Sequence, residues 1–89
     1  MASGNLQVGR PATPTTGSAQ VVCPRSCQLL GFFVDVAGAI LIYDAASATG
    51  LPTAILTVTP IAIGWNPFPV DLVNGLVVNV AASTTFVFA

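Results

Sequence analysis

From residue 20 onward, short runs of apolar and β-branched residues alternate with clusters of glycine, proline and asparagine. Runs of this length, bounded by turn-forming residues, are typical of a small β-sandwich or barrel. Within the runs, apolar positions recur with the alternation that places successive side chains on opposite faces of a strand. Helical patterning is nearly absent. The pattern therefore predicts an all-β fold, either a small antiparallel β-sandwich or a jelly-roll-like barrel.

The alternation also predicts which side chains share a face. Within 27–36, Phe32, Val34 and Val36 lie on the face opposite to Phe33. Segment 39–43 is apolar on both faces, as in a strand that is covered on both sides. The strands predicted in this way are 20–23, 27–36, 39–43, 53–59, 70–73, 76–80 and 84–88.

The dipeptide Asn74-Gly75 is the strongest hairpin signal in the chain, because both central residues of a type I′ turn need positive φ. It predicts a hairpin that joins strands 70–73 and 76–80. Just before it, segment 65–69 contains two prolines, which predict an extended stretch with few ladder hydrogen bonds. Its aromatic residues are expected to close one end of the core.

Residues 1–19 are mostly Gly, Ser, Thr, Pro, Ala and Asn, with Leu6 and Val8 as the only larger aliphatic residues. Such a segment buries too little apolar surface to offset the entropy of ordering it. We therefore expect an extended or flexible arm at 1–19 and a single sandwich domain at 20–89. The arm is either a disordered tail or an extended strand laid along a neighbouring subunit and anchored by Arg10.

The surface of such a domain would be unusually poor in charge, since 54% of the residues are apolar and only 6% are charged. A soluble domain normally has about a quarter of its residues charged. Either lipid or neighbouring subunits must then cover the apolar surplus. A membrane-spanning helix needs about 20 consecutive apolar residues. The two most apolar stretches, 29–43 and 51–65, are interrupted by Asp35 or by prolines, so neither is predicted to span a membrane. Burial against other subunits is the favoured explanation.

The net charge and the N-terminal residues further restrict the partners and the site of assembly that the sequence favours. The net charge is −1 and lysine is absent, so little is available to neutralise phosphates, and nucleic-acid binding is not expected. Residues 1–5 lack the basic and apolar regions of a secretory signal, which favours assembly in a cytosol.

The residues needed for catalysis are scarce. Histidine, glutamate and lysine are absent, which removes the usual general bases and the amine nucleophile. The three aspartates have simpler uses: Asp35 as an exposed strand residue, Asp44 as a turn cap and Asp71 as a surface residue. We expect no enzyme, no catalytic residue, no cofactor and no small-molecule substrate.

Cys23 and Cys27 flank a Pro-Arg-Ser segment. A zinc site needs four ligands, and this chain has two thiols and no imidazole, so no metal site is expected. The two thiols either form a local disulfide or stay free and pack as small apolar groups, and a cytosolic setting favours free thiols.

Trp65 and Phe68 lie among rigid prolines and have two possible uses. An aromatic ring beside rigid backbone can stack on a sugar, but packing in the core is the favoured interpretation.

Three segments resemble a pattern of small tailed-phage virion proteins: ILIYDAASATG at 40–50, GWNPFP at 64–69 and NGLVV at 74–78. The resemblance spans about 29–89. It implies a short β-sandwich that serves as a capsid decoration, or cement, subunit or as an appendage of the tail. It further implies a homo-oligomer, commonly a trimer, that sits on a lattice of major capsid protein.

We therefore expect a phage structural protein that stabilises the head through contacts between subunits and is located in the virion after assembly in the host cytoplasm. The alternative is a receptor- or glycan-binding module of a tail, fibre or neck, with Trp65, Asn66 and Tyr43 lining a shallow site. That alternative predicts an exposed Trp65. The residues expected at interfaces are Leu6, Val8, Arg10, Tyr43, Trp65 and Phe68.

Overall fold

The computed structural model describes residues 10–58 and 63–89. Leu6 and Val8, two of the residues expected at interfaces, lie outside these described residues. The described residues contain no helix and form eight strands. These are β1 (Arg10–Ala12), β2 (Ala19–Cys23), β3 (Cys27–Val34), β4 (Ile40–Asp44), β5 (Leu56–Val58), β6 (Gly64–Leu72), β7 (Leu76–Val80) and β8 (Thr84–Phe88).

The strands form two four-stranded sheets, in which all neighbours are antiparallel. The first sheet has the order β1-β8-β3-β6 and the second has the order β2-β7-β4-β5. The first strand thus pairs with the last, the second with the seventh, the third with the sixth and the fourth with the fifth. This is the strand order of a jelly roll, in which a long two-stranded ribbon is rolled up into two sheets. The all-β sandwich predicted from the alternation is confirmed.

The core lies between the inner faces of the two sheets. Phe32 and Phe86, on neighbouring strands of the first sheet, pack with their ring centroids 5.7 Å apart. Burial of a side chain of this size contributes about 1.5–3 kcal/mol, so residues of this kind supply most of the stabilisation. The buried apolar residues of the core are Cys23, Leu29, Phe32, Val34, Ile40, Ile42, Leu72, Leu76, Val78, Val80 and Phe86.

The alternation in β3 is confirmed for Phe32 and Val34, which are both buried. Val36 is 54% exposed because the strand ends at Val34. A register shift between Leu29 and Gly31 also lets Leu29 point inward, although it lies three residues before Phe32. Such a bulge inserts one extra residue and so exchanges the two faces of the strand.

The predicted hairpin at Asn74-Gly75 is wrong. The strands on either side of it belong to different sheets, since β6 pairs with β3 whereas β7 pairs with β2 and β4. No residue other than glycine has positive φ among the described residues, so Asn74 cannot take the conformation of a type I′ turn. The dipeptide instead carries the chain from one sheet to the other.

Two further predictions differ from the structure. Segment 65–69 is extended, as predicted, but it belongs to the nine-residue β6, and its residues 65–67 pair with β3 up to the register shift between Leu29 and Gly31. The strand predicted at 53–59 begins later: among the described residues β5 covers Leu56–Val58, at the edge of the second sheet, and residue 59 lies outside the described residues.

The sandwich also includes residues from the range that is predicted as the arm. Arg10–Ala12 forms β1 and pairs with the last strand, β8, and Ala19 begins β2. The sequence pattern has no sign of β1, because three residues are too short to show an alternation.

Candidate functional site

The outer face of the first sheet is the most distinctive surface of the described residues. In β6, alternate residues point to the two sides of the sheet: Phe68 and Val70 pack against the core, whereas Trp65 and Pro67 face outward. Phe68 therefore packs on the core, as expected from the sequence. The same expectation for Trp65 is wrong, because its side chain is 49% exposed.

Trp65 does not stand alone on this face. It lies directly opposite Phe33 in the pairing of β6 with β3, and Phe33 is itself 43% exposed. Gly31, two residues before Phe33, provides the space for the indole ring. A Cβ atom at Gly31 would lie 2.7 Å from Cζ2 and Cη2 of Trp65 and 2.6 Å from the carbonyl oxygen of Asn66. The indole therefore lies over Gly31 and covers its backbone.

Strand register extends this surface across the sheet. One row runs from Pro11 through Val87 and Gly31 to Pro67, and the next from Thr85 through Phe33 to Trp65. Thr13 continues the second row, since its hydroxyl lies 3.1 Å from that of Thr85. We call this surface the aromatic face; it consists of Pro11, Thr13, Gly31, Phe33, Trp65, Pro67, Thr85 and Val87.

None of these residues is charged, and the nearest carboxylates lie toward the ends of the face. Asp35 follows Phe33 by two positions and accepts a hydrogen bond from the hydroxyl of Ser83 at 3.2 Å. Asp71 lies on the outward side of β6, opposite Gln28. The aromatic face is thus uncharged, and carboxylates lie beyond its ends. Its parts are 34 positions apart in the chain (Gly31 to Trp65), and no local signal in the sequence joins them.

The other expected site residues lie elsewhere. Tyr43 is half-buried on the outer side of the second sheet, opposite Val77. Asn66 is also half-buried, and its side-chain amide donates a hydrogen bond to the carbonyl oxygen of Gly64 at 3.0 Å. The structure therefore does not bring Trp65, Asn66 and Tyr43 together into one shallow site. Arg10 is exposed on β1, opposite Phe88.

A groove with a volume of about 250 Å³ lies beside β2. Residues 12–15, which follow β1, form one wall, and Gln20, Val21 and Val22 of β2 form the other. Because β1 and β2 are edge strands of different sheets, the groove runs along one open side of the sandwich. No signal in the sequence pointed to it.

Asp44 caps the connection between β6 and β7, in line with the turn-capping role expected for it. Its carboxylate accepts hydrogen bonds from the N–H groups of Val73, Asn74 and Gly75 at 3.2, 2.8 and 3.3 Å. Burial pushes the pKa of Asp44 upward, but the three N–H donors outweigh it and hold the pKa below its usual value. The role of this carboxylate is structural.

The two cysteines face each other as free thiols. Cys23 is buried and donates a hydrogen bond to the carbonyl oxygen of Arg25 at 3.3 Å. Burial raises the pKa of the Cys27 thiol to about 12, and its contact with Cys23 acts in the same direction. The Cys27 thiol in this state is a poor nucleophile and a poor metal ligand at neutral pH.

Across residues 10–58 and 63–89, no group of three or more His, Cys, Asp or Glu side chains is placed to hold a metal ion. The same residues include no helix that is long and apolar enough to cross a membrane. Comparisons of the chain with protein-family models, with curated proteins and with solved structures give no match.

Proposed function

We propose that this chain is a non-enzymatic structural subunit that packs against neighbouring subunits through its aromatic face. The observation that carries the proposal is the pair of half-exposed aromatic side chains, Trp65 and Phe33, on a face without charge. Interface centres are enriched in aromatic residues and depleted in charged ones, and tryptophan is prominent among the residues that dominate binding energy.

The size of the face indicates the type of contact. Four strands spaced about 4.8 Å apart, with a longest strand of about 30 Å, give a face of roughly 600 Å². A typical stable interface buries about 800 Å² on each partner. One such contact is therefore of moderate strength, and firm attachment requires several contacts repeated by symmetry.

A capsid lattice provides such repetition. We propose that the subunit decorates the head of a tailed phage as a homo-oligomer, with a trimer as the expected form, and contacts the major capsid protein. The resemblance of segments 40–50, 64–69 and 74–78 supports this setting, as does the low charge of the chain. The jelly roll adds support of a general kind, since viral capsid proteins often use this fold.

The proposal is tested by removing the aromatic side chains while the strands are kept. The double variant Phe33→Thr, Trp65→Thr keeps β-forming residues at both positions. Its matched control, Val36→Thr with Val73→Thr, changes two residues that are 54% and 75% exposed but lie outside the aromatic face. Light scattering gives the mass of each protein, and sedimentation with purified tailed-phage capsids gives its attachment.

We expect the wild type and the control to co-sediment with capsids and the double variant to stay in solution, while its circular dichroism spectrum in isolation remains that of a folded β protein. A wild type that is monomeric and ignores capsids would refute the proposal. So would a double variant that binds capsids as well as the control.

The exposure of Trp65 also favours one other function, a receptor- or glycan-binding module on a tail or fibre. An indole that covers a glycine on an open face can stack on a sugar ring. Because Trp65 is the only tryptophan, quenching of its fluorescence by soluble sugars reports directly on this site. Saturable quenching in the wild type, together with no capsid binding, would favour the second function over the first.

A further inference from the structure

The four edge strands of the sandwich differ in their ability to pair with another chain. An exposed edge offers unpaired N–H and C=O groups to any extended segment. Proline removes one such N–H group, and β1 contains Pro11 while β6 contains Pro67 and Pro69. At the edge of the second sheet, the described part of β5 has three residues.

The remaining edge, β2, lacks proline and is longer than three residues, and its register with β7 shifts only near its end, between Val21 and Cys23. Its five residues, Ala19–Cys23, include no proline and no charge, and among the described residues it pairs only with β7. Val21, in the middle of the strand, is 43% exposed. The groove of about 250 Å³ runs along this same strand. Within residues 10–58 and 63–89, the structure therefore provides an unpaired edge and, beside it, space for another segment.

The chain contains a segment that suits this edge. Residues 1–9 precede β1, lie outside the described residues, and have neither proline nor a charged side chain. Leu6 and Val8 are two positions apart, so both side chains would point to the same side of an extended strand. Nine extended residues span about 30 Å, which exceeds the roughly 17 Å needed to follow a five-residue edge.

The direction of β1 indicates whether residues 1–9 would reach the groove of their own chain or the groove of a neighbouring copy of the protein. Arg10 lies beside Phe88, near the end of β8, whereas the groove begins at Ala12, at the other end of β1. A segment that continues β1 backwards from Arg10 therefore leads away from the groove of its own chain. To fill that groove it would have to reverse its direction, whereas the groove of a neighbouring copy can be reached without a reversal.

We propose that residues 1–9 of one copy add as a strand to the β2 edge of a neighbouring copy, with Leu6 and Val8 packed in the groove beside Val21 and Val22. This inference deepens the proposed function and rests on it, since the copies must assemble. Backbone hydrogen bonds along β2 then supply affinity, and the two aliphatic side chains supply specificity.

Two variants of the full chain disable the two halves of the contact. Leu6→Ser with Val8→Ser removes the apolar side chains of the arm. Val21→Lys places on the edge the residue that natural edge strands use against pairing. The control is Val36→Lys, which adds the same charge at another exposed position. Loss of the two buried aliphatic groups should weaken self-association about a hundredfold.

Mixing the two disabled variants provides the decisive measurement. Each alone should give the mass of a single chain, 9.0 kDa, by light scattering. Their mixture should associate again, because the intact arm of the Val21→Lys chain fits the intact groove of the arm variant. If the mixture stays monomeric, or if each variant alone keeps the wild-type mass, the inference is wrong. Lower melting temperatures with unchanged mass would show that the segment occupies the groove of its own chain, which also overturns the inference.

The outcomes separate this inference from the proposed function. Capsid binding that depends on Phe33 and Trp65, with no effect of the arm variants on mass, would leave the proposed function standing and refute strand exchange. The reverse result, with loss of mass in the arm variants and no effect of the aromatic variants on capsid binding, would support strand exchange and refute the role of the aromatic face.

Discussion

Replacement of Gly75 by alanine should destabilise the fold more than the same change at any open glycine. Gly75 lies where the chain passes from β6 to β7, and it has a φ of 153°. A Cβ atom there would collide with the carbonyl oxygen of Cys23 and lie 2.6 Å from that of Ala45. Both are backbone atoms at the ends of β2 and β4, so neither can rotate away as a flexible side chain would.

The magnitude follows from two costs. Positive φ at a residue with a Cβ atom costs about 1 kcal/mol, and forcing an extra carbon into a packed site costs about 1–3 kcal/mol. The sum is about 2–4 kcal/mol, a large part of the 5–15 kcal/mol that stabilises a typical domain. For a domain of this size, 1 kcal/mol shifts the melting temperature by about 4–8 °C. We expect Gly75→Ala to lower it by about 8–32 °C.

Gly50→Ala is the matched control. Gly50 also has positive φ, 64°, but nothing lies within 4 Å of the position that a methyl group would take there. It therefore carries only the conformational cost, about 1 kcal/mol, which corresponds to a drop of about 4–8 °C. Thermal unfolding followed by circular dichroism measures both variants. Equal drops in melting temperature would refute the reasoning, because they would show that the contacts with Cys23 and Ala45 add nothing.

Three further predictions concern other parts of the molecule. Asp44→Asn should destabilise the protein at pH 7 by about 1–2 kcal/mol, because an amide is a weaker acceptor than a carboxylate. Folding lowers the pKa of Asp44, so the carboxylate stabilises the folded state only where it is ionised. The difference between the two proteins in free energy of unfolding, measured with urea, should therefore persist above about pH 4 and shrink as the pH falls further. A difference that is independent of pH would contradict this. With its pKa raised to about 12, Cys27 should react with iodoacetamide at pH 8 at least about tenfold more slowly than an unfolded cysteine, because the smaller thiolate fraction outweighs the higher nucleophilicity of each thiolate; mass spectrometry with and without urea follows the reaction. Equal rates would show that the thiol is accessible and ionised. Gly31→Ala should displace the indole and shift the emission of Trp65 to longer wavelength, and an unchanged spectrum would show that the ring does not cover Gly31.

Local patterns were enough to identify most strands and, in some of them, which side chains share a face. Alternation in 27–36 correctly put Phe32 and Val34 on one face, opposite to Phe33, and both are buried whereas Phe33 is exposed. The reason is physical: a strand that is buried on one side needs an apolar residue at every second position, and this requirement is local. The low charge was likewise visible without any structure.

Strand partners, by contrast, depend on residues far apart in the chain. Asn74-Gly75 has the composition of a hairpin, yet β6 pairs with β3, and Asp44 of β4 binds the N–H groups of the connection. Alternation shows that Trp65 and Phe68 lie on opposite faces of one strand but cannot show which of the two points outward.

The aromatic face and the groove likewise arise only in the tertiary structure. Trp65 is exposed because the register of β6 on β3 places it opposite Phe33 and over Gly31. The groove exists because β1 and β2 form neighbouring edges of different sheets. The sequence by itself determined a sandwich with too little charge for its surface. Where that surface is apolar and open was decided by strand pairing, because contacts between distant segments set the register and the register sets which side chains meet.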